Sequence, residues 1–187
     1  MATGFDEHGK WKFSFIPEFS DCIARIASCW ARIEYDVSAT IWALADVRPA
    51  LGACITAQIY TFNGRLNALL ALAKMRRVDD KIISRINRFA ENSRSGQDKR
   101  NRTVHDLWMQ DNGNPGNMGR LRITAEKKLA FKIQSVMFPE IKKDLETIED
   151  LSTEFSAIRD VIDAALPTLP EIPHQELHPI IETPLDR

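Results

Sequence analysis

Apolar residues recur every three or four positions along four long stretches of this 187-residue chain, and this spacing restricts the fold more than any other feature. Such a period places the apolar side chains on one face of an α-helix, where they need another surface to bury them. Four such faces can bury one another. The sequence therefore predicts a mainly α-helical fold, an up-and-down bundle of four to five helices.

Prolines and capping residues indicate where these helices begin, because proline suits the first turn and a side-chain oxygen can accept from its free N–H groups. Asp79 is such a cap for the third helix. Its apolar pattern breaks at residues 92–96, after which Asp98 predicts the cap of a separate short helix that includes Trp108. The other three predicted helices span Pro17–Asp46, Pro49–Arg76 and Pro139–Leu166.

Between the short helix and the last helix, the pattern changes to that of a small β-hairpin. Residues 111–117 are rich in Asn, Gly and Pro, which favour turns. Residues 120–124 and 129–133 then alternate apolar and polar side chains, which is the period of a half-buried strand. We therefore expect the hairpin to interrupt the helical bundle before its last helix.

These patterns divide the chain into a helical-bundle domain at residues 15–166, an N-terminal extension at 1–14 and a Pro-rich acidic tail at 167–187. The tail composition predicts an extended or disordered segment. The first residues carry acids and no apolar core, so no signal peptide is predicted. No run of 18 apolar residues occurs, and none of the three cysteines forms a CxxC pair. We therefore expect a cytoplasmic protein with no membrane association.

Charge is distributed unevenly along the chain. Residues 74–102 hold ten basic and four acidic residues, a balance of +6, whereas residues 140–187 hold four basic and twelve acidic residues, a balance of −8. A basic segment of this kind is a cue for an anionic partner. The alternative interpretation is that each helix has a solvated charged face, and the sequence leaves both open.

One short motif in the basic segment combines residue types that can cleave a phosphodiester. It consists of Arg100, Asn101 and His105, and His105 is the only one of the four histidines within a predicted helix or strand. An imidazole can donate or accept a proton near neutral pH. On a helix Asn101 and His105 share a face, but Arg100 and His105 are five apart and diverge. We therefore expect the two to converge only if Arg100 lies at a helix start.

This motif resembles that of the HEPN superfamily, which comprises α-helical bundle proteins with an Arg, four to six further residues and then a His. A polar residue often follows the Arg, as Asn101 does here, and four residues separate Arg100 from His105. The resemblance covers the motif and the helix order from about Pro17 to Leu166. The predicted hairpin is a departure from it.

The resemblance implies a metal-independent endoribonuclease that cleaves single-stranded RNA by attack of the 2′-hydroxyl. His105 would act as general base or acid, Arg100 would stabilise charge on the phosphoryl oxygens, and Asn101 would orient the histidine or the phosphate. Arg94, Lys99 and Arg102 would hold the RNA backbone. The resemblance also implies a homodimer without a cofactor. A defence or toxin system, with an antitoxin or other protein partner, is the setting that fits such an enzyme.

Other interpretations of the same residues stay open. Arg100 can instead pair with Asp98 or Asp106, with His105 packed under Trp108. The chain can also be a non-catalytic RNA- or nucleotide-binding module, or a scaffold that binds another protein through its last helix. Two further histidines, His174 and His178, have a metal-ligand spacing but lie in the Pro-broken tail, so no metal site is predicted.

Overall fold

The computed structural model describes residues 16–110, 116–124 and 130–170. The predicted N-terminal extension and residues 171–187 of the predicted tail lie outside these ranges. The described residues form a mainly α-helical bundle with a small antiparallel sheet, which confirms the predicted fold class. Its helices are α1 (Pro17–Leu44), α2 (Pro49–Thr56), α3 (Phe62–Met75), α4 (Asp80–His105) and α5 (Phe138–Ala165), and its strands are β1 (Leu107–Gln110), β2 (Met118–Thr124) and β3 (Ala130–Val136).

Four helices surround one hydrophobic core. α1 and α4 each pack against both α3 and α5, which closes a ring of helices around the apolar stripes. Large aromatic side chains fill its centre: Trp30 lies 4.9 Å from Phe62, and Phe89 lies 4.9 Å from Phe155, measured between ring centroids. Burial of each large apolar side chain stabilises the fold by about 1.5–3 kcal/mol, so these stripes account for the bundle. In the described part of the chain, no helix has the length and apolarity that crossing a bilayer requires.

Contacts along α1 and α5 show that these two helices run parallel. Phe19, near the start of α1, packs against Phe138 at the start of α5, and further along both helices Asp36 pairs with Arg159. α2 makes this direction possible, because it packs on α1 and leads the chain back toward the middle of α1 before α3 begins. α4 runs antiparallel to α5, because Lys99 near the end of α4 pairs with Asp144 early in α5, whereas Arg88 pairs with Glu154 further along α5.

The predicted second helix is two helices, α2 and α3, and the expectation of one helix over Pro49–Arg76 is corrected here. Thr61 caps α3, since its side-chain oxygen accepts from the Gly64 N–H at 3.0 Å. Arg65 then donates from Nε to the Ile59 carbonyl at 3.1 Å, which satisfies a backbone group in the connection. The apolar spacing continues across this connection, so the period alone conceals the break.

The predicted break at residues 92–96 does not occur, and α4 is one continuous helix of 26 residues. Ser93 and Gly96 are buried in it. A Cβ atom on Gly96 would lie 2.5 Å from Cδ1 of Leu151, so the glycine allows α4 to approach α5 closely. The small residues therefore mark a helix–helix contact. As a consequence, Asp98 lies within a helix and caps nothing, whereas Asp79 does cap α4, by accepting from the Lys81 N–H at 2.7 Å.

The small β element has three strands, in the order β1-β2-β3, with antiparallel pairing throughout. The second and third strands are those of the predicted hairpin, with Arg122 opposite Lys132. The first strand is an addition, because Leu107 and Trp108 were expected in a helix and instead pair with Leu121 and Arg120.

The two faces of this sheet have different environments. Trp108, Met118 and Val136 point to one face and are buried in the core of the bundle. On the opposite face, the apolar side chains are partly or largely exposed, and Phe131 and Ile133 each keep 64% of their surface accessible. The sheet is thus anchored to the bundle through one face and holds the chain between α4 and α5.

Candidate functional site at the end of helix α4

The predicted catalytic residues lie in the last turn and a half of α4. The helix ends at His105, because Asp106 adopts extended backbone angles and the chain turns into β1. The indole N–H of buried Trp108 donates to the Thr103 carbonyl at 2.8 Å and so satisfies one of the free acceptors at the helix end. The position of His105 is therefore set by the junction between the helix and the sheet.

Arg100 and His105 converge at this helix end. Nη1 of Arg100 lies 3.2 Å from Nε2 of His105, and the same Nη1 donates to Oδ1 of Asn101 at 3.1 Å. An arginine nitrogen only donates, so this contact is a hydrogen bond in the tautomer whose Nε2 carries no proton and accepts. The expectation that convergence needs Arg100 at a helix start is wrong, since Arg100 lies within α4. Its long side chain spans the five-residue separation instead.

The alternative pairing of these residues is not found. Asp106 pairs with Arg120, whose Nε lies 3.5 Å from Oδ2, and Trp108 is buried away from the exposed His105. Arg100 makes no ion pair with any described residue, and its buried Nε has no hydrogen-bond partner among them. Among the described residues, the guanidinium therefore contacts the side chains of Asn101 and His105 and no carboxylate.

The three predicted RNA-binding residues do not share one environment. Arg94 and Arg102 are exposed, and Arg94 lies seven and eleven residues before Asn101 and His105, which places these three on one face of the helix. Lys99 lies on a different face, where its ammonium pairs with Asp144 at 2.9 Å and donates to Thr147 at 3.1 Å. Arg94 therefore shares the helix face of Asn101 and His105, and Arg102 is exposed in the same last turns, whereas Lys99 is paired on another face.

Part of the opposite charge on the basic and acidic segments of the sequence is used in ion pairs between α4 and α5. The basic residues of α4 face acidic residues of α5, through the pair of Lys99 with Asp144 and the pair of Arg88 with Glu154, whose nitrogen and oxygen lie 3.7 Å apart. Such pairs reduce the free positive charge of α4 along its middle. Among the described residues, Arg100 and Arg102 at the end of the helix have no carboxylate partner, and neither do Lys81, Arg85 and Arg94 earlier in it.

Residues of the sheet add to this positive charge, and the sequence pattern did not single them out. Arg120, Arg122 and Lys132 line a cavity of about 50 Å³ together with Arg102 and Asp106 from the helix end. Their signal in the sequence is a pair of basic residues two positions apart in the first predicted strand and one basic residue in the second. The sequence pattern does not show that these residues lie together. The strand register of the sheet brings them together, because it sets Arg122 opposite Lys132.

A larger groove, of about 520 Å³, lies between the first halves of α1 and α5. Four carboxylates line it, those of Glu18, Asp21, Glu146 and Glu149, against the two cations Arg25 and Lys142. This excess of negative charge disfavours an anionic substrate. We therefore place the candidate site at the end of α4.

Metal-ligating residues are not clustered in residues 16–110, 116–124 and 130–170, where no three His, Cys, Asp or Glu side chains come together as a metal site would require. His174 and His178, which have a metal-ligand spacing in the sequence, lie outside these ranges. The described site consists of guanidinium, amide and imidazole groups.

The protein is thus a mainly α-helical bundle with a small sheet. It carries an Arg–Asn–His cluster where helix α4 meets the sheet. No protein-family model, curated protein or solved structure matches the chain. Membership of the HEPN superfamily therefore stays a prediction, which rests on the motif and the helix order.

Proposed function

We propose that this protein is an endoribonuclease that cleaves single-stranded RNA without a metal ion, by attack of the 2′-hydroxyl on the neighbouring phosphate. The observation that supports this most directly is the contact of 3.2 Å between Nη1 of Arg100 and Nε2 of the exposed His105. It joins a phosphate-binding group to a proton-transfer group at the surface. The HEPN resemblance of the motif is the second support.

Each residue has a role that follows from its chemistry. The 2′-oxygen bonds to phosphorus while the bond from phosphorus to the 5′-oxygen breaks, which leaves a 2′,3′-cyclic phosphate and a 5′-hydroxyl. His105 removes the 2′-hydroxyl proton through its unprotonated Nε2 once the substrate displaces Arg100 from it. Arg100 then donates to the phosphoryl oxygens, where negative charge develops, and Asn101 keeps the guanidinium oriented.

The leaving 5′-oxygen needs a proton, which a second imidazole can supply. In this proposal the second imidazole belongs to another copy of the chain, so the active form is a homodimer with two motifs at one interface. An antitoxin or other protein partner would act by covering this interface. Light scattering of the purified protein tests the dimer, and a monomer at all concentrations that support cleavage would contradict it.

The decisive experiment is cleavage of labelled single-stranded RNA by purified protein in the presence of excess chelator. We expect products with 2′,3′-cyclic phosphate ends, and we expect His105→Ala to lower the rate by about 10²–10⁴-fold, the usual contribution of a general base. Asn92→Ala is the matched control, because Asn92 is an exposed residue of the same helix and lies outside the motif. Its rate should equal that of the wild type. Intact RNA with wild-type protein, or equal rates in both variants, would refute the proposal.

A further inference from the structure

The cavity at the junction of α4 and the sheet collects four cations around one carboxylate. Arg102, Arg120, Arg122 and Lys132 line it, with Asp106 as the single acid, so the lining carries a net charge of +3. Gln134 completes the lining and adds a neutral amide. Positive charge gathered in this way around a small concave surface attracts anions.

The sheet register forces these cations together. Arg120 and Arg122 lie two apart in β2, and their partners across the strand pair are Gln134 and Lys132. Side chains of residues at alternate positions and of directly opposed residues share one face of a sheet. Like charges opposite each other, such as those of Arg122 and Lys132, repel, and a bound anion between them removes that repulsion.

One of the four cations is largely buried and contacts three neighbouring side chains, whereas the other three are exposed. The side chain of Arg120 is only 11% exposed. It is held by Asp106, by Gln134, whose Oε1 accepts from Nη2 at 3.3 Å, and by the ring of Trp108, whose centroid lies 5.7 Å from Cζ. Arg102, Arg122 and Lys132 are exposed at the rim of the cavity. A largely buried guanidinium beside three exposed cations suits a phosphate, which accepts several charge-assisted hydrogen bonds.

This cavity lies next to the proposed catalytic residues, because Arg102 and Asp106 belong to the same helix end as His105. We propose that the cluster of Arg102, Arg120, Arg122 and Lys132 binds a phosphate of the RNA backbone beside the phosphate that is cleaved. This inference rests on the proposed function, since it names the substrate contact of the same site. The proposal assigns the β-sheet the role of positioning the RNA strand at the site.

The test measures binding apart from cleavage. Every protein carries His105→Ala, and fluorescence anisotropy follows the binding of a fluorescein-labelled single-stranded RNA, with a DNA of the same sequence in parallel. In that background Arg122→Glu with Lys132→Glu should weaken the RNA affinity at least about ten-fold. The slope of the logarithm of affinity against the logarithm of salt concentration should become shallower by about 1.4, or ~0.7 for each cation that no longer neutralises a phosphate.

The matched control is Lys74→Glu with Lys81→Glu, which changes the net charge equally. Both lysines are exposed, and Lys81 lies 24 residues before His105 on α4, or about 36 Å along the helix. This control should bind RNA within about two-fold of its parent. Equal weakening in both double variants would mean that net charge alone governs binding and would overturn the proposal, as would unchanged binding in the sheet variant.

Two further measurements separate this proposal from the proposed function and from misfolding. Arg122→Gln with Lys132→Gln removes the charges without reversing them, and it should give an intermediate affinity with the circular dichroism spectrum of its parent. Cleavage is assayed separately with His105 intact. If RNA binding depends on the four cations but no RNA is cleaved, the phosphate-binding proposal is supported and the endoribonuclease proposal is refuted. If RNA is cleaved but neither binding nor cleavage depends on the four cations, only the phosphate-binding proposal is refuted. DNA binding equal to RNA binding would also support a contact to phosphate.

Discussion

At the scale of single residues, Arg100 shows how one side chain serves both the fold and the site. It lies four residues after Gly96 and three before Thr103, both buried, so its side chain starts on the buried face of α4. Its guanidinium nevertheless reaches His105 at the surface. The buried stem fixes the direction of the charged end, and this orientation is the property that the proposed catalysis needs.

The substitution Arg100→Lys tests whether the shape of the guanidinium matters in addition to its charge. Lysine keeps the positive charge but lacks the planar fork that contacts Asn101 and a phosphate together. We expect the cleavage rate to fall by about 10²-fold while the melting temperature changes by only a few degrees. Activity equal to that of the wild type would show that a simple positive charge suffices and would contradict the assigned role.

At the scale of elements, the sheet links the last turn of α4 to the beginning of α5. Its buried face packs into the core through Trp108, Met118 and Val136, and its register brings the basic side chains to the helix end. The opposite face, with Phe131 and Ile133, remains largely exposed among the described residues. The sheet thus contributes to stability through one face only, and the two faces predict different responses to mutation.

A pair of truncations compares the two faces. Met118 is fully buried, so Met118→Ala should lower the free energy of unfolding by about 2–5 kcal/mol, the usual cost of a cavity in a core. Ile133→Ala removes a side chain that is 64% exposed and should cost less than about 1 kcal/mol. Urea denaturation followed by circular dichroism measures both values. Equal decreases would mean that the exposed face is covered in solution.

The whole molecule is held together by contacts between α1 and α5, the first and last helices of the bundle. A buried carboxylate contributes to this contact: Asp36, whose side chain is 7% exposed, pairs with Arg159 of α5. Burial by itself lowers the pKa of Arg159. The hydrogen bond to Asp36 and the charge of Asp36 act in the opposite direction and outweigh burial, so the pKa of Arg159 is raised above its ordinary value. The ion pair therefore joins two residues that are 123 positions apart in the sequence.

Asp36→Asn should destabilise the protein because it leaves the Arg159 guanidinium without its buried partner. Loss of one member of a buried pair costs about 3–5 kcal/mol, and the partial exposure of Arg159 reduces our expected value to about 2 kcal/mol. Asp163→Asn is the control, since Asp163 also pairs with Arg159 at 3.3 Å but is 42% exposed. Its cost should be below about 1 kcal/mol in the same denaturation experiment. If both variants unfold alike, the burial of Asp36 contributes nothing.

Much of the fold was predictable because a helix that packs on a core has apolar residues at a regular spacing of three or four positions. The start of α1 at Pro17, the cap at Asp79 and the stripe of α5 all follow from neighbouring residues. The two errors in helix bounds arose in opposite ways. The apolar period continues across the connection of α2 and α3, and small residues look like a break where Gly96 in fact lies against Leu151.

The sequence by itself determined the helical stripes, the two strands of the hairpin and the presence of Arg100, Asn101 and His105 in one segment. Only the tertiary structure decided that Arg100 reaches His105 from within a helix, that Lys99 is engaged by Asp144, and that Arg120, Arg122 and Lys132 surround a cavity with Arg102. The physical reason is the distance along the sequence over which each feature is determined. A period is set by residues a few positions apart, whereas ion pairs and strand register depend on segments that only packing brings together.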